Sequence, residues 1–432
     1  MSLNQELMKK DMDVIWHPCT QMKDHEVLPI IPIKSAKGIY LYDFDGNGYV
    51  DAISSWWVNI FGHCNSYINS KMKEQLETLE HVLLAGFTHE PAIELAHKLV
   101  DITPESLKKV FFADNGSSAV EIALKMSYHY HLNMKQQRTL FLSLSNSYHG
   151  ETIGALSVGD VSLYKNTYEP LLLKCLQTPV PVNSSKQAAA DALKSLELIL
   201  EENGYNISAM IIEPLVQGAG GMHMYHADYL VGARMLTQKY GIHLILDEIM
   251  TGFGRTGTMF ACEQASISPD FMTLSKGLTG GYLALSVVMT TDEIYNAFYC
   301  DYNEHKAFLH SHSYTGNPLA CSAALATLEL FEQSNILEQN REKSLYIDAK
   351  LEKFKLLANV KEARVLGMIA AVELQGYKAE ERIGLKIYEF ALSRGVLLRP
   401  LGHVIYFMPP YIITIKEIDK VLDVMYDAIK NI

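Results

Sequence analysis

At 432 residues and 48.5 kDa the chain is too long for one simple domain, since domains run to about 100–200 residues, so two or three substructures around a sizeable core are expected. A content of 48% hydrophobic and 20% charged residues excludes a disordered or collagen-like polymer. A net charge of −12 and a pI near 5.7 give no general attraction to nucleic acid or to an anionic membrane surface.

The N-terminus lacks the apolar stretch of a signal peptide, and no run of about 18 apolar residues is present, so no membrane span is expected. Six cysteines (Cys19, Cys64, Cys175, Cys262, Cys300, Cys321) stand singly, without C-x-x-C pairs, and read as the reduced thiols of a cytoplasmic protein.

In chain order, Lys37–Asp51 alternates apolar and polar residues around Asp45-Gly46 and Asn47-Gly48, which predicts a hairpin. Helical periodicity follows over Ser66–Leu83 and Pro91–Leu99. Lys109–Ala113 is a short apolar run that feeds through Asp114-Asn115-Gly116-Ser117-Ser118 into a helical stretch, Ala119–His129. Further strand-like runs are Thr139–Leu144, Ala209–Glu213, His243–Asp247, Phe271–Leu274 and Leu285–Thr290, with helical patterns at Ala188–Glu201 and Ala227–Tyr240. This alternation predicts an α/β domain with a mostly parallel, helix-covered sheet. Long helical patterns (Leu319–Phe331, Ile336–Leu357) then lead to a shorter α+β tail, with Val365–Glu373 and Val404–Phe407 as strands. The expected division is an N-terminal segment 1–64, a large α/β domain 65–320 and a C-terminal part 321–432, the two ends combining into a smaller domain.

Three strand ends carry chemistry. The turn at Gly116-Ser117-Ser118 opens a helix, where free N–H groups, small residues and hydroxyls make an anion cradle; the same residues also suit an ordinary helix cap. Asp247 closes an apolar run and precedes a glycine-rich turn containing Arg255, at the kind of strand end where ligands collect in parallel sheets. Lys276 closes the next run. Such a lysine is either a solvated surface charge or, if buried, a nucleophile toward carbonyls. A lysine, a carboxylate and a phosphate cradle together suit pyridoxal phosphate. A carboxylate about 4 Å from a pyridinium is worth roughly 4 kcal/mol at an effective dielectric near 20, enough to keep the ring nitrogen protonated. Tyr148, in Tyr148-His149-Gly150-Glu151, is placed either to stack on such a ring or simply to cover the core.

The blocks DEIMTGFGRTG, SKGLTGG, YHGET, IIEPLVQGAGGM and GNPLAC resemble the class III pyridoxal-phosphate-dependent aminotransferases of fold type I, over nearly the whole chain. IWHPCTQM, SSWWVNIFGH, FADNGSSAVEIALKM and RPLGHVIYFMPPY are similar to the biotin-pathway branch of that class. The resemblance implies a fold type I architecture and pyridoxal 5'-phosphate bonded to Lys276, with Asp247 at the pyridine nitrogen. It places Gly116 and Ser117 on the phosphate, Tyr148 beside ring and substrate, and Glu213 as an acid near the cofactor. It also implies a homodimer in which Ser311, His312 and Ser313 reach the other subunit's phosphate and substrate. Trp56 and Arg399 would bind the keto acid 8-amino-7-oxononanoate, with Tyr406 and Arg255 lining the same pocket, while Trp57 is either pocket or core. A long apolar chain ending in a carboxylate calls for aromatic walls and one cation, which these residues supply. The implied amino donor is S-adenosylmethionine, or lysine as in some relatives. One departure bears on the donor: the class commonly has tyrosine where this chain has Cys19, so a wall of the substrate pocket differs. The rival readings are another class III enzyme acting on ω-amino acids or ornithine, a non-catalytic protein retaining the fold, and a nicotinamide-binding protein. The last is disfavoured because no G-x-G-x-x-G follows an early strand.

Overall fold

The computed structural model describes residues 2–432, which divide into two compact units. The larger comprises Tyr67–Ser344 and Leu366–Ile369; the smaller comprises the remaining described residues up to Ser66, Leu345–Val365 and Ala370–Ile432.

The larger unit is built on a seven-stranded sheet: β1 (Leu107–Ala113), β2 (Leu140–Leu144), β3 (Cys175–Thr178), β4 (Ile207–Ile212), β5 (His243–Asp247), β6 (Phe271–Leu274) and β7 (Ser286–Thr291), in spatial order β1-β7-β6-β5-β4-β2-β3. β3, β2, β4, β5 and β6 run parallel, whereas β7 is antiparallel to both its neighbours. The central strands β2, β4, β5 and β6 are wholly buried, as expected of a sheet covered on both faces. Helix Gly116–Asn133 packs Ala119, Val120, Ile122 and Ala123 against Ile211, Ile245, Phe271 and Val288 in one core cluster. A mixed α/β architecture on a large parallel-rich sheet is therefore present. The helix Pro318–Gln333, at the start of the C-terminal region, also packs within this unit, its Ala323 and Ala326 clustering with Ile68.

The smaller unit holds two sheets. Ile33–Lys37, Tyr40–Asp43 and Gly48–Asp51 form an antiparallel meander with Tyr40 opposite Val50, and Val396–Leu397 joins it in parallel beside Gly48–Asp51. Val360–Leu366, Ile369–Leu374 and Val404–Phe407 form the second. The strand expected over Val365–Glu373 is thus a correction: the chain reverses there instead of running straight. Gly367 has φ +57, and a Cβ on it would come within 2.4 Å of the Arg255 carbonyl oxygen, so this turn needs glycine.

Candidate active site

In the larger unit, adjacent strands end at the residues expected to carry chemistry. Leu246 of β5 lies beside Ile212 of β4, and Asp247 beside Thr273 of β6. The carboxyl edge of the sheet therefore carries Glu213, Asp247 and, just past β6, Lys276.

Asp247 and His149 are buried, with Nδ1 of His149 2.7 Å from Oδ2 of Asp247. Oδ1 of Asp247 accepts from the Ile249 N–H at 3.2 Å. Glu213 accepts from the backbone N–H of Tyr148 and of Gly218, both at 2.9 Å. Burial pushes the Glu213 carboxyl up to about 7; the nearby His149 and those two N–H bonds pull it down, and the charge of Asp247 adds to the rise.

Lys276 opens a short 3-10 turn in a left-handed conformation, φ +45. Before it, the Ser275 hydroxyl donates to the Leu285 carbonyl at 2.8 Å and ties the turn to the strand that follows. Burial lowers the pKa of the amine below the ordinary lysine value, against the raising pull of Asp247 and Glu213. That is the electrostatic setting of a nucleophilic lysine and not of a solvated one.

Helix Gly116–Asn133 starts behind this edge. Asn115 caps it by accepting from the Ser118 N–H at 3.0 Å. Gly150, with φ +122, packs so tightly on Ser117 that a Cβ would sit 2.1 Å from its hydroxyl. The helix start and the Tyr148–Gly150 loop are thus one packed assembly. Tyr148 is half-buried, donates to Glu151 at 3.0 Å and meets Tyr164 edge to face at 5.4 Å.

These groups fit pyridoxal phosphate. A lysine of lowered basicity answers to the aldehyde, a buried carboxylate to the ring nitrogen and a helix N-terminus to the phosphate. A Cβ on Gly116 would come within 3.1 Å of the Ile249 side chain, so the helix start packs closely against it. The Nε2 atom of His149 is buried with no hydrogen-bond partner among the described residues, an orphan of the kind a bound polar group satisfies. His149 went unassigned in the sequence, although it immediately follows Tyr148. Ser311 and Ser313 lie exposed on a loop of the same unit, closed by the Thr315 hydroxyl donating to the His312 carbonyl at 2.7 Å. Arg255 is buried, and its carbonyl accepts from the Met368 N–H at 2.9 Å.

The smaller unit gathers a second set. Arg399 lies over the Trp56 ring at 5.1 Å and donates to the Cys19 carbonyl at 2.7 Å. Trp57 is buried against Tyr406, ring centroids 6.0 Å apart, so it belongs to the core. Tyr406 is itself fully buried there. The four residues Ser54–Trp57 all have positive φ: 52, 46, 70 and 75. Left-handed backbone costs an L-residue about 1–2 kcal/mol, and runs of it are avoided. The turn is held from both sides. The Ser54 hydroxyl donates to the Met408 carbonyl at 2.8 Å, and buried Asp51 accepts from the Ser55 N–H at 2.9 Å and the Ser55 hydroxyl at 2.7 Å. Nε2 of His63 lies 2.9 Å from the same carboxylate. This turn buries Ser54 and Trp57 and leaves Ser55 and Trp56 exposed.

The chain is similar to known proteins over nearly its full length. The family model for aminotransferase class III matches residues 20–429. The adenosylmethionine-8-amino-7-oxononanoate aminotransferase of Helicobacter pylori is 54% identical, over 97% of each chain. The crystal structure of the enzyme of that name from Methanocaldococcus jannaschii is 40% identical, with a TM-score of 0.95 over 99% of each chain. An omega transaminase from Pseudomonas jessenii, solved in complex with PMP, is 29% identical, with a TM-score of 0.93 over 98% of each.

Proposed function

Since the chain belongs to the class III aminotransferases, which work through pyridoxal phosphate, we propose that it transfers the amino group of S-adenosylmethionine to 8-amino-7-oxononanoate, giving 7,8-diaminononanoate for biotin synthesis. The observation that carries this reading is the half-buried Lys276 amine, its basicity reduced, at a sheet edge shared with Asp247 and Glu213. Lys276 would hold the cofactor by its aldehyde, Asp247 would meet the ring nitrogen, Gly116 and Ser117 would receive the phosphate, and Tyr148 would cover the ring. When bound, the cofactor supplies an electron sink for the carbon that loses its proton. Nζ of Lys276 takes that proton from the donor's α-carbon and, in the second half-reaction, returns one to the carbon that bore the acceptor's ketone. The burial that lowers its pKa favours the neutral amine, the form able to act as base.

Asp247 is oriented by His149 and the Ile249 N–H. Glu213 fixes the backbone of Tyr148. Trp56 and Arg399 receive the apolar chain and terminal carboxylate of the acceptor, with Cys19 forming part of the wall. Ser311, His312 and Ser313 serve the neighbouring subunit of a homodimer, and the protein works in the cytoplasm. The name of the Helicobacter pylori relative supports the choice of substrates. The test is a donor panel with 8-amino-7-oxononanoate as acceptor. S-adenosylmethionine should convert the protein to its pyridoxamine form and give 7,8-diaminononanoate. Conversion by lysine alone would reassign the donor, and conversion only by ω-amino acids or ornithine would overturn the reading.

A further inference from the structure

Asp51 was not among the residues assigned a role, yet it sits at the foot of the segment that presents Trp56. Its carboxylate is fully buried and collects bonds from the Ser55 N–H, the Ser55 hydroxyl and the His63 ring. The Ile53 N–H lies at 3.4 Å from the same group. Two of these contacts, both to Ser55, bear on one stretch of left-handed backbone that contains no glycine, and the Ile53 N–H contact lies at its entrance. A buried carboxylate is retained where its bonds fix a conformation the chain would otherwise leave, and strained backbone concentrates at functional sites. The product of this arrangement is an exposed indole, 40% accessible, with the Arg399 guanidinium over its face. Arg399 is held in turn by the carbonyl of Cys19, itself at φ +50. The pair is therefore assembled by backbone geometry on both sides.

We propose that Asp51 is a positioning residue: it locks Ser54–Trp57 in the left-handed turn so that Trp56 and Arg399 stand together as a preformed clamp for the carboxylate end of a long-chain keto acid. This rests on the functional reading above for the identity of the acceptor. Relaxation of the turn to ordinary backbone would rotate Trp56 away and leave Arg399 without its aromatic platform. Affinity for the carboxylate end would fall, while Lys276 and its proton transfer in the larger unit would be untouched.

The experiment compares wild type, Asp51→Ala and Asp51→Ala/Ser55→Gly as cofactor-loaded protein. Acceptor KM and kcat are measured, together with calorimetric binding of nonanoate, a nine-carbon monocarboxylate probe. Asp51→Ala should raise the acceptor KM and the nonanoate Kd about tenfold, the equivalent of losing one strained conformation, with kcat within about threefold and the cofactor absorbance unchanged. Glycine at position 55 adopts positive φ freely, so the double variant should recover most of the loss. A merely structural role would lower melting temperature and kcat together and would gain nothing from added glycine. If Asp51→Ala does not fold, Asp51→Asn, which keeps one oxygen for the Ser55 N–H, should raise KM and Kd about threefold. Unchanged KM and Kd in the variants, or a rise that Ser55→Gly does not reverse, overturns the proposal. Wild-type protein that binds nonanoate but does not aminate 8-amino-7-oxononanoate would refute the functional reading and leave the clamp standing. Wild-type protein that does neither overturns both.

Discussion

Nδ1 of His149 stands 2.7 Å from Oδ2 of Asp247, and the imidazole has no contact with solvent. A buried carboxylate needs such partners to remain ionised, and an ionised Asp247 is what a pyridinium requires. Asp247→Asn removes the charge at nearly constant shape. The roughly 4 kcal/mol of attraction at stake corresponds to a fall in kcat of about a thousandfold. Steady-state rates, with the absorbance of the bound cofactor as a control for loading, check this.

Lys276→Ala should abolish turnover and remove the visible band of the lysine-bound cofactor. The fold should survive, because alanine removes the part-buried amine together with its desolvation cost. Absorbance spectroscopy and a melting curve of the variant make the test; normal transamination would refute the role given to Lys276.

Glu248 offers a pH signature away from the chemistry. It is fully buried, accepts from the Thr251 hydroxyl and, at 2.9 Å, from the Cys262 N–H, and burial pushes it up to about 7. The folded state therefore holds a proton that the unfolded chain loses near 4.5. Between those values the native protein binds more protons, so the stability owed to this group declines as pH rises and levels off above about 7. The slope is at most about 1.4 kcal/mol per pH unit. Glu248→Gln should flatten that part of the curve in denaturant titrations run between pH 5 and pH 8.

His243 acts with the opposite sign. Burial lowers it to about 3, and its ring stacks on His131 at 4.6 Å and meets the Ser127 hydroxyl at 2.8 Å. The unfolded chain takes up a proton below about 6.5 that the native ring refuses, so stability falls as pH drops from there toward 3. His243→Gln should lose less stability than wild type between pH 6.5 and pH 5, measured the same way.

Arg399→Lys keeps the charge but loses the planar stack on Trp56. The acceptor KM should rise about tenfold with a smaller effect on kcat, as expected for an interaction made equally in ground and transition states.

The sheet was legible because its strands are short apolar runs separated by helical periods: His243–Asp247 and Phe271–Leu274 match their expected bounds. Strand Cys175–Thr178 escaped because an edge strand that is mostly only part-buried lacks that signature. The reversal at Gly367 was hidden by apolar residues on both sides of it. Lys276 and Asp247 stood out in the sequence by their places at strand ends, but the pairing of His149 with Asp247 depends on a contact across 98 positions. The left-handed run at Ser54–Trp57 has no sequence signature at all. Nothing in Ser-Ser-Trp-Trp favours positive φ, and the handedness comes from Asp51 and the Met408 carbonyl, whose effect exists only once the chain is folded.

The return of β7 against its neighbours has a mechanical consequence. Because it runs backwards, Ser286 begins beside Ala113, and its hydroxyl donates to the Asn115 carbonyl at 2.7 Å. The ten residues from Lys276 to Leu285 are consequently a staple, fixed at one end to the lysine and at the other to the strand that braces helix Gly116–Asn133. A vitamin bonded at the first point and gripped at the second would close this staple into a ring. Hydrogen exchange of β6, β7 and the first turn of that helix should then slow as a unit on loading, so that occupancy is reported by the stiffness of the scaffold as well as by its colour.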